Sequence, residues 1–214
     1  MIYSSSHKYH QEAQNRQLMD YALCLDDPKK FSSLMKISGT PLVLNSEQEQ
    51  MMDEYHKFSR VICKHRRRVG ASTVSAVYAL WFALMKPHKV VSLVAPSHAW
   101  AMTYIQLIAE LFKSLPAHMK PTVVRSTKHT IEFDNGSSIY VIAATPNALR
   151  GMTIGLLIFA DFAHVPDDVA AELLAVIGPA IATGTSLVMF SDDSGISSTF
   201  TSLWKHSPYH RLEV

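Results

Sequence analysis

The sequence predicts an α/β fold: a mainly parallel sheet flanked by helices, with a β-hairpin and an N-terminal helical arm. Three observations carry the prediction. The runs "RVICKH", "KVVSLVAP", "IGLLIFAD" and "TSLVMFSD" are nearly continuously apolar, as strands buried on both faces are. Helix-length apolar segments separate them, the alternation that places parallel strands under covering helices. Hydrophobic residues make up 48% of the 214 positions, enough for one buried core.

Residues 1–40 are polar, with helical stretches interrupted at "DDPKK" and "SGTP", and are expected to form the arm. Residues 41–214 are expected to form the core. There "RVICKH" is a strand and "STVSAVYALWFALM" a helix ended at Lys86-Pro87, since a proline disfavours helix in the residue before it. "KVVSLVAP" is a buried strand and "HAWAMTYIQLIAELFKSL" a helix. "TVVRS" is a strand, and "TIEFDNGSSIYVIAA" is two strands turning at Asn135-Gly136, a hairpin dipeptide. "IGLLIFAD" is a strand, and "PDDVAAELLAVIGPAIATG" is helical with a break expected near Gly178-Pro179. "TSLVMFSD" is a strand and "STFTSLWKHS" a last helix. Trp81, Phe82, Trp100 and Tyr104 recur at helical spacing and are expected in the core, with Met51 and Met52 as packing residues.

Composition narrows the function classes. A formal charge of +2 is too small to mark a general polyanion binder, so any such contact must be local. Cys24 and Cys63 lie far apart without metal spacing and read as reduced thiols of an intracellular protein. The histidines are scattered, so no metal site is expected. No apolar run approaches the ~20 residues of a membrane span, and "MIYSSSHKYHQEAQNRQ" lacks the apolar centre of a secretory signal. The expected location is a cytoplasm.

Chemistry concentrates where strands end. "HRRRVGAST", between a strand and a helix, stands where a phosphate-binding loop G-x-x-x-x-G-K-[ST] belongs. Gly70 would allow close backbone approach, and Ser72 and Thr73 offer hydroxyls at a helix N-terminus suited to anions. Arg66, Arg67 and Arg68 add positive charge. Ala71, however, occupies the lysine position, and the plainer reading is a basic turn on a solvated face, or a phosphate-backbone patch. At the end of "LLIF", Ala160 and Asp161 stand where an acidic pair would hold Mg²⁺ and orient water; a cap or surface role is the alternative for Asp161. "SLVMFSDDSG" ends in Ser191, Asp192, Asp193 and Ser194, where a γ-phosphate sensor would sit. Its two aspartates would repel a triphosphate unless neutralised.

The order of these motifs resembles the ATPase domain of the large terminase subunit of tailed bacteriophages, the DNA-packaging motor, over roughly residues 40–210. "LNSEQEQMM" is similar to the segment carrying an adenine-contacting glutamine, which would be Gln48. "RRRVGAST" resembles the family's deviant loop S-R-Q-x-G-K-[ST]-T, and Arg67 matches its arginine, proposed there to act on the γ-phosphate. "TIEFDNGSSIYVIAATPNALRG" resembles its hairpin and "RG" segment. "IFADFAHVP" resembles its acidic strand, and "FSDDSG" falls at its coupling motif.

The resemblance implies a P-loop NTPase-like fold, a cofactor (ATP with Mg²⁺, bound weakly or not at all) and partners: DNA or packaging proteins such as terminase subunits and the portal, with no membrane and with an oligomer as one option. It also implies site residues: Asp161 and Arg67 as catalytic positions, with Gln48, Arg66, Arg67, Arg68, Gly70, Ser72 and Thr73 toward nucleotide and no protein-held metal cluster. The departures are Ala71 for the lysine, Ala160 for the magnesium aspartate, Asp161 for a glutamate and "DDS" for the coupling residues. The family's nuclease domain is expected to be absent, the chain ending soon after its last helix. Three readings follow: a terminase-like pseudo-ATPase associated with viral DNA packaging in the host cytoplasm, a functioning or mutated motor ATPase, or a nucleic-acid-binding or interaction module that binds no nucleotide.

Overall fold

The computed structural model describes residues 3–145, 147–182, 184–192 and 198–214. Its N-terminal region holds α1 (Tyr3–Cys24) and α2 (Pro28–Ser32), followed by a small hairpin of β1 (Lys36–Ile37) and β2 (Thr40–Pro41). Asp27 caps α2, accepting from the backbone N–H groups of Lys29 and Lys30 at 2.9 and 3.1 Å. The interruption expected at "SGTP" is the turn of that hairpin, with Ser38 and Gly39 at φ of 50° and 80°. Two-residue strands carry no sequence period, which is why they were not expected.

The core begins with α3 (Ser46–Lys57), then β3 (Arg60–His65), α4 (Ala71–Met85), β4 (Val90–Ala95) and α5 (His98–Ser114). A hairpin region follows, β5 (Val123–Ser126), β6 (Thr130–Phe133) and β7 (Ser138–Ala143). The chain continues through β8 (Leu156–Phe159), α6 (Asp167–Ala182), β9 (Ser186–Asp192), α7 (Ser198–His206) and β10 (His210–Glu213). Among the described residues the main sheet has eight strands in the order β10-β3-β9-β8-β4-β7-β6-β5. Every pairing from β10 to β7 is parallel, while β6 pairs antiparallel with both β7 and β5.

Alternation along the central strands feeds two cores. On one face Val61, Cys63, Leu93, Leu156, Ile158, Val188 and Phe190 pack under α3, α4 and α5. On the other, Ile62, Val94, Leu157, Phe159, Leu187 and Met189 pack with Leu173 and Ile177 of α6 and Phe200 of α7. A strand contributing to both faces must be apolar at every position, which is the pattern the sequence shows. Truncating one such residue, Phe159→Ala for example, removes about 3–5 kcal/mol.

The expected hairpin forms, with Ile131 opposite Ile139 and Thr130 opposite Tyr140. Its connection differs from a two-residue Asn-Gly turn. Phe133 and Ser137 close it by the Phe133 N–H to Ser137 carbonyl bond of 2.9 Å, leaving three residues in the loop, and only Gly136 is left-handed, at φ 78°. This is the geometry of a turn ending in a glycine bulge.

Three other expectations are corrected. The helix over "PDDVAAELLAVIGPAIATG" is not broken near Gly178-Pro179: α6 runs through Pro179 to Ala182. Its buried residues Leu173, Ile177 and Ile181, one turn apart, hold it against the sheet, which offsets the hydrogen bond a proline omits. β10 was not expected, because "HRLE" offers a single buried apolar residue, Leu212. Trp100 is 40% exposed and not in the core, whereas Trp81 and Tyr104 are buried. Met51 and Met52 are fully buried, as expected, and both thiols are free and buried. Among the described residues no helix is long and apolar enough to cross a membrane.

Candidate functional site

The parallel strands β3, β9 and β8 lie side by side, so the loops at their carboxyl ends converge, the crevice where open α/β sheets bind ligands. There a cavity of about 600 Å³ is lined by the loop residues Arg67, Arg68, Val69, Gly70, Ala71 and Ser72, with Asp161, His164 and Asp192 from the neighbouring strand ends. α5 supplies Trp100, Thr103, Tyr104 and Leu107, and β3 supplies His65.

The loop between β3 and α4 turns tightly. Val69 N–H reaches back to the Arg66 carbonyl at 3.4 Å, and Arg68 is left-handed at φ 66°. Gly70, left-handed at φ 89°, is the residue before α4, which no side chain caps. The first N–H groups of a helix have no intrahelical acceptors. Here they stand at the cavity wall. A Cβ on Gly70 would lie 2.2 Å from Gln48 Nε2, so glycine is required by both conformation and space.

Gln48 itself is committed to structure. Its Nε2 donates to the Val69 carbonyl at 3.0 Å, and its Oε1 accepts from the Asn45 N–H at 3.0 Å. The latter is half of a capping box at the start of α3, in which Asn45 accepts from the Gln48 N–H. Arg66 turns away from the cavity to pair with Glu47. Thr73 follows on α4 and is not part of the lining.

At the strand tips, Arg67 Nε donates to Asp192 Oδ2 at 3.0 Å, and His164 Nε2 lies 3.1 Å from Asp192 Oδ1. Asp192 is therefore held between two basic groups. Asp193 and Ser194 lie outside the described residues. Ser191 is buried and accepts from the Ala163 N–H at 3.1 Å. Asp161 is left-handed, at φ 50°. Its Oδ2 accepts from the Tyr104 hydroxyl at 2.9 Å, and that hydroxyl also lies 3.0 Å from Ser72 Oγ. A phenol has one proton. With it given to the carboxylate, Ser72 must donate to Tyr104.

Burial raises the Asp161 carboxyl above its ordinary pKa. The Tyr104 hydrogen bond, His65 and His164 pull it back, and Asp192 raises it again. Burial also holds the Tyr104 phenol well above its usual value, so it is protonated at neutral pH. His65 is 8% exposed, with Nδ1 3.0 Å from the Arg66 carbonyl. Its Nε2 is buried and has no hydrogen-bond partner among the described residues.

Of the positions read from the sequence, Arg67, Arg68, Gly70, Ala71, Ser72, Asp161 and Asp192 thus meet in one cavity. Ala71 is 4% exposed, and Ala160 is fully buried behind the wall. Trp100, Tyr104, His65 and His164 were missed as lining residues. Trp100, the adjacent pair Thr103 and Tyr104, and Leu107 lie on successive turns of α5; that face carries two hydroxyls and an indole nitrogen as well as apolar groups.

Comparison with solved structures gives the same architecture. The HK97 bacteriophage large terminase superposes with a TM-score of 0.71 at 15% identity, covering 88% of this chain and 43% of that one. The large terminase ATPase domain of Thermus phage P74-26 gives 0.60 at 17% identity, covering 86% and 84%. The large terminase of a further thermophilic bacteriophage, in complex with ATP-γ-S, gives 0.60 at 16%, covering 80% and 44%. The chain therefore spans less than half of the HK97 protein and less than half of the ATP-γ-S-bound one. At these identities the likeness concerns the fold.

A family model described as "Terminase large subunit, T4likevirus-type, N-terminal" matches residues 65–201, from the end of β3 into α7. With well over half its length matched, the chain belongs to the terminase large subunit family, in the N-terminal part that this model describes.

Proposed function

We propose that the chain is a pseudo-ATPase of the viral packaging apparatus, which retains a nucleotide- or anion-accepting cavity without efficient hydrolysis. One observation carries this reading: buried alanines, Ala71 and Ala160, stand where the family's loop lysine and magnesium aspartate are expected. A charged contact of that kind contributes about 1.5–3 kcal/mol to binding, and phosphoryl transfer depends on such groups for positioning and charge neutralisation. The remaining carboxylate, Asp161, is engaged by Tyr104.

Arg67, Arg68 and the uncapped start of α4 leave a positive wall suited to phosphate. The complex of the thermophilic-phage terminase with ATP-γ-S supports nucleotide as the ligand class. In this reading the protein acts in the host cytoplasm by binding DNA, terminase subunits or the portal, alone or as an oligomer. The competing reading is a working ATPase in which Arg68, left-handed at φ 66° and on the cavity wall, supplies the missing lysine's charge. Calorimetric titration with ATP-Mg²⁺ beside a phosphate-release assay separates them. The expected result is binding with release no faster than a buffer control. Mg²⁺-dependent turnover lost in Arg68→Ala would establish the working enzyme instead.

A further inference from the structure

We infer that the cavity takes its anion without a divalent cation, because the magnesium carboxylate expected at 160 is an alanine and the Tyr104 hydroxyl engages both the loop hydroxyl of Ser72 and the neighbouring carboxylate, Asp161, that could replace it. The inference rests on the anion-site reading above. In P-loop NTPases the loop Ser/Thr and the strand-end carboxylate hold the ion between them. Here the residue at that carboxylate position is Ala160, and a phenol oxygen stands 3.0 Å from Ser72 Oγ and 2.9 Å from Asp161 Oδ2, tying the loop hydroxyl to the carboxylate next in the chain.

The residues present do not fit Mg²⁺. The ion demands near-octahedral oxygen ligands at about 2.0–2.1 Å and is usually held by one or two carboxylates. The carboxylate expected at 160 is a methyl group, and Asp161 already accepts from Tyr104. Tyr104 is 4% exposed on α5, packed in the core cluster that also holds Ala160. Among the described residues no group of three His, Cys, Asp or Glu side chains could hold a metal.

Charge neutralisation falls instead to groups that need no metal. Arg67 and Arg68 line the cavity, and the N–H groups at the start of α4 face it. His65 Nε2, buried and without a hydrogen-bond partner among the described residues, adds a further polar group to the same wall. Asp192, which pairs with Arg67, sets the selectivity: an incoming anion must share or displace that guanidinium bond. A phosphate free of metal carries the full negative charge to compete for it; a Mg²⁺-neutralised one carries less. The ligand class is therefore a free phosphate or pyrophosphate group.

Mn²⁺ titration of the full chain, followed by the electron paramagnetic resonance signal of the free ion, tests the metal directly. The wild-type protein should leave that signal unchanged, and so should Ala160→Asp, whose added carboxylate still meets Ser72 and Asp161 engaged by the phenol. Tyr104→Phe combined with Ala160→Asp frees both groups and should bind Mn²⁺. Wild-type binding that Asp161→Asn abolishes would overturn the inference whether or not any other variant folds. Equal Mn²⁺ binding by Ala160→Asp alone and by the double variant would overturn it too.

A second arm titrates pyrophosphate into the wild-type protein in EDTA. Heat of binding there is expected. Binding seen only with Mg²⁺ present would refute the metal-free site while leaving the anion site standing. Binding in neither condition would refute the anion site, and the Mn²⁺ titration would then decide the blocked metal position alone.

Discussion

The two ends of α4 are built alike and finished differently. Each meets a left-handed glycine whose missing side chain makes room for a residue from elsewhere, Gln48 at Gly70 and His88 at Gly136. At the C-terminal end the β6–β7 hairpin closes the helix. Asn135 Nδ2 donates to the Ala83 and Leu84 carbonyls at 3.0 and 3.4 Å, and Ser137 Oγ donates to the Lys86 carbonyl at 3.2 Å. At the N-terminal end no side chain plays that part, and the wall of the cavity begins. A helix end whose polar groups are consumed by neighbouring side chains is structural. One left open beside arginines is available to a ligand.

The comparison breaks most visibly at the glycines. Gly70→Ala must adopt a left-handed backbone, costing about 1–2 kcal/mol, and must displace a Gln48 amide engaged at both its atoms, about 1 kcal/mol for each hydrogen bond lost. Urea unfolding should show a loss of about 3–4 kcal/mol, together with loss of phosphate binding. Gly136→Ala carries the same backbone strain, but the exposed His88 ring can turn aside, so a loss of about 1–2 kcal/mol is expected. Equal losses at the two sites would show that Gln48 is not the constraint assigned to it.

Asn135→Ala comes next. It removes both donors to the α4 carbonyls and the 2.9 Å bond from the Ser137 N–H to Asn135 Oδ1. The expected cost is about 1–3 kcal/mol. Affinity for pyrophosphate should not change, because the cavity is at the other end of the helix. A variant that weakens anion binding as much as it weakens the fold would mean that the two ends are coupled.

These contrasts also explain which parts of the protein could be read before folding. β8 and β9 were legible because a strand serving two cores must be apolar throughout, as Leu156–Phe159 is. The loop and Asp161 were legible because they follow such strands directly. Gln48 carried a readable signal of another kind: Asn45 followed three residues later by a glutamine is a helix start, and structure consumes the amide there. Tyr104 was not legible as a site residue. Its spacing on α5 is that of core packing, and it is indeed buried. That its hydroxyl lands between Ser72 and Asp161 depends on β4 and β3 flanking β8 and β9, a strand order no local pattern encodes. The same holds for β10, whose pairing with β3 places Val214 where its carbonyl accepts from the Arg66 N–H at 2.8 Å and steadies the start of the loop.

The smallest effect concerns the shifted carboxyl of Asp161 at the open end. Because burial raises the pKa of Asp161 above its unfolded value, the folded protein holds that proton at a pH where the unfolded chain has released it. Over this window the native state binds more protons, so stability falls as pH rises, the reverse of an aspartate stabilised by an ion pair. Asp161→Asn removes the titration and keeps an oxygen for Tyr104, and asparagine tolerates the left-handed backbone at φ 50°. Melting temperatures measured from the ordinary carboxylate range upward should therefore decline with pH more steeply in the wild type than in Asp161→Asn. Parallel curves would mean that Asp161 titrates alike in folded and unfolded protein. The open end would then hold an ordinary solvated carboxylate, which a cation could approach, and its contrast with the closed end would be one of shape alone.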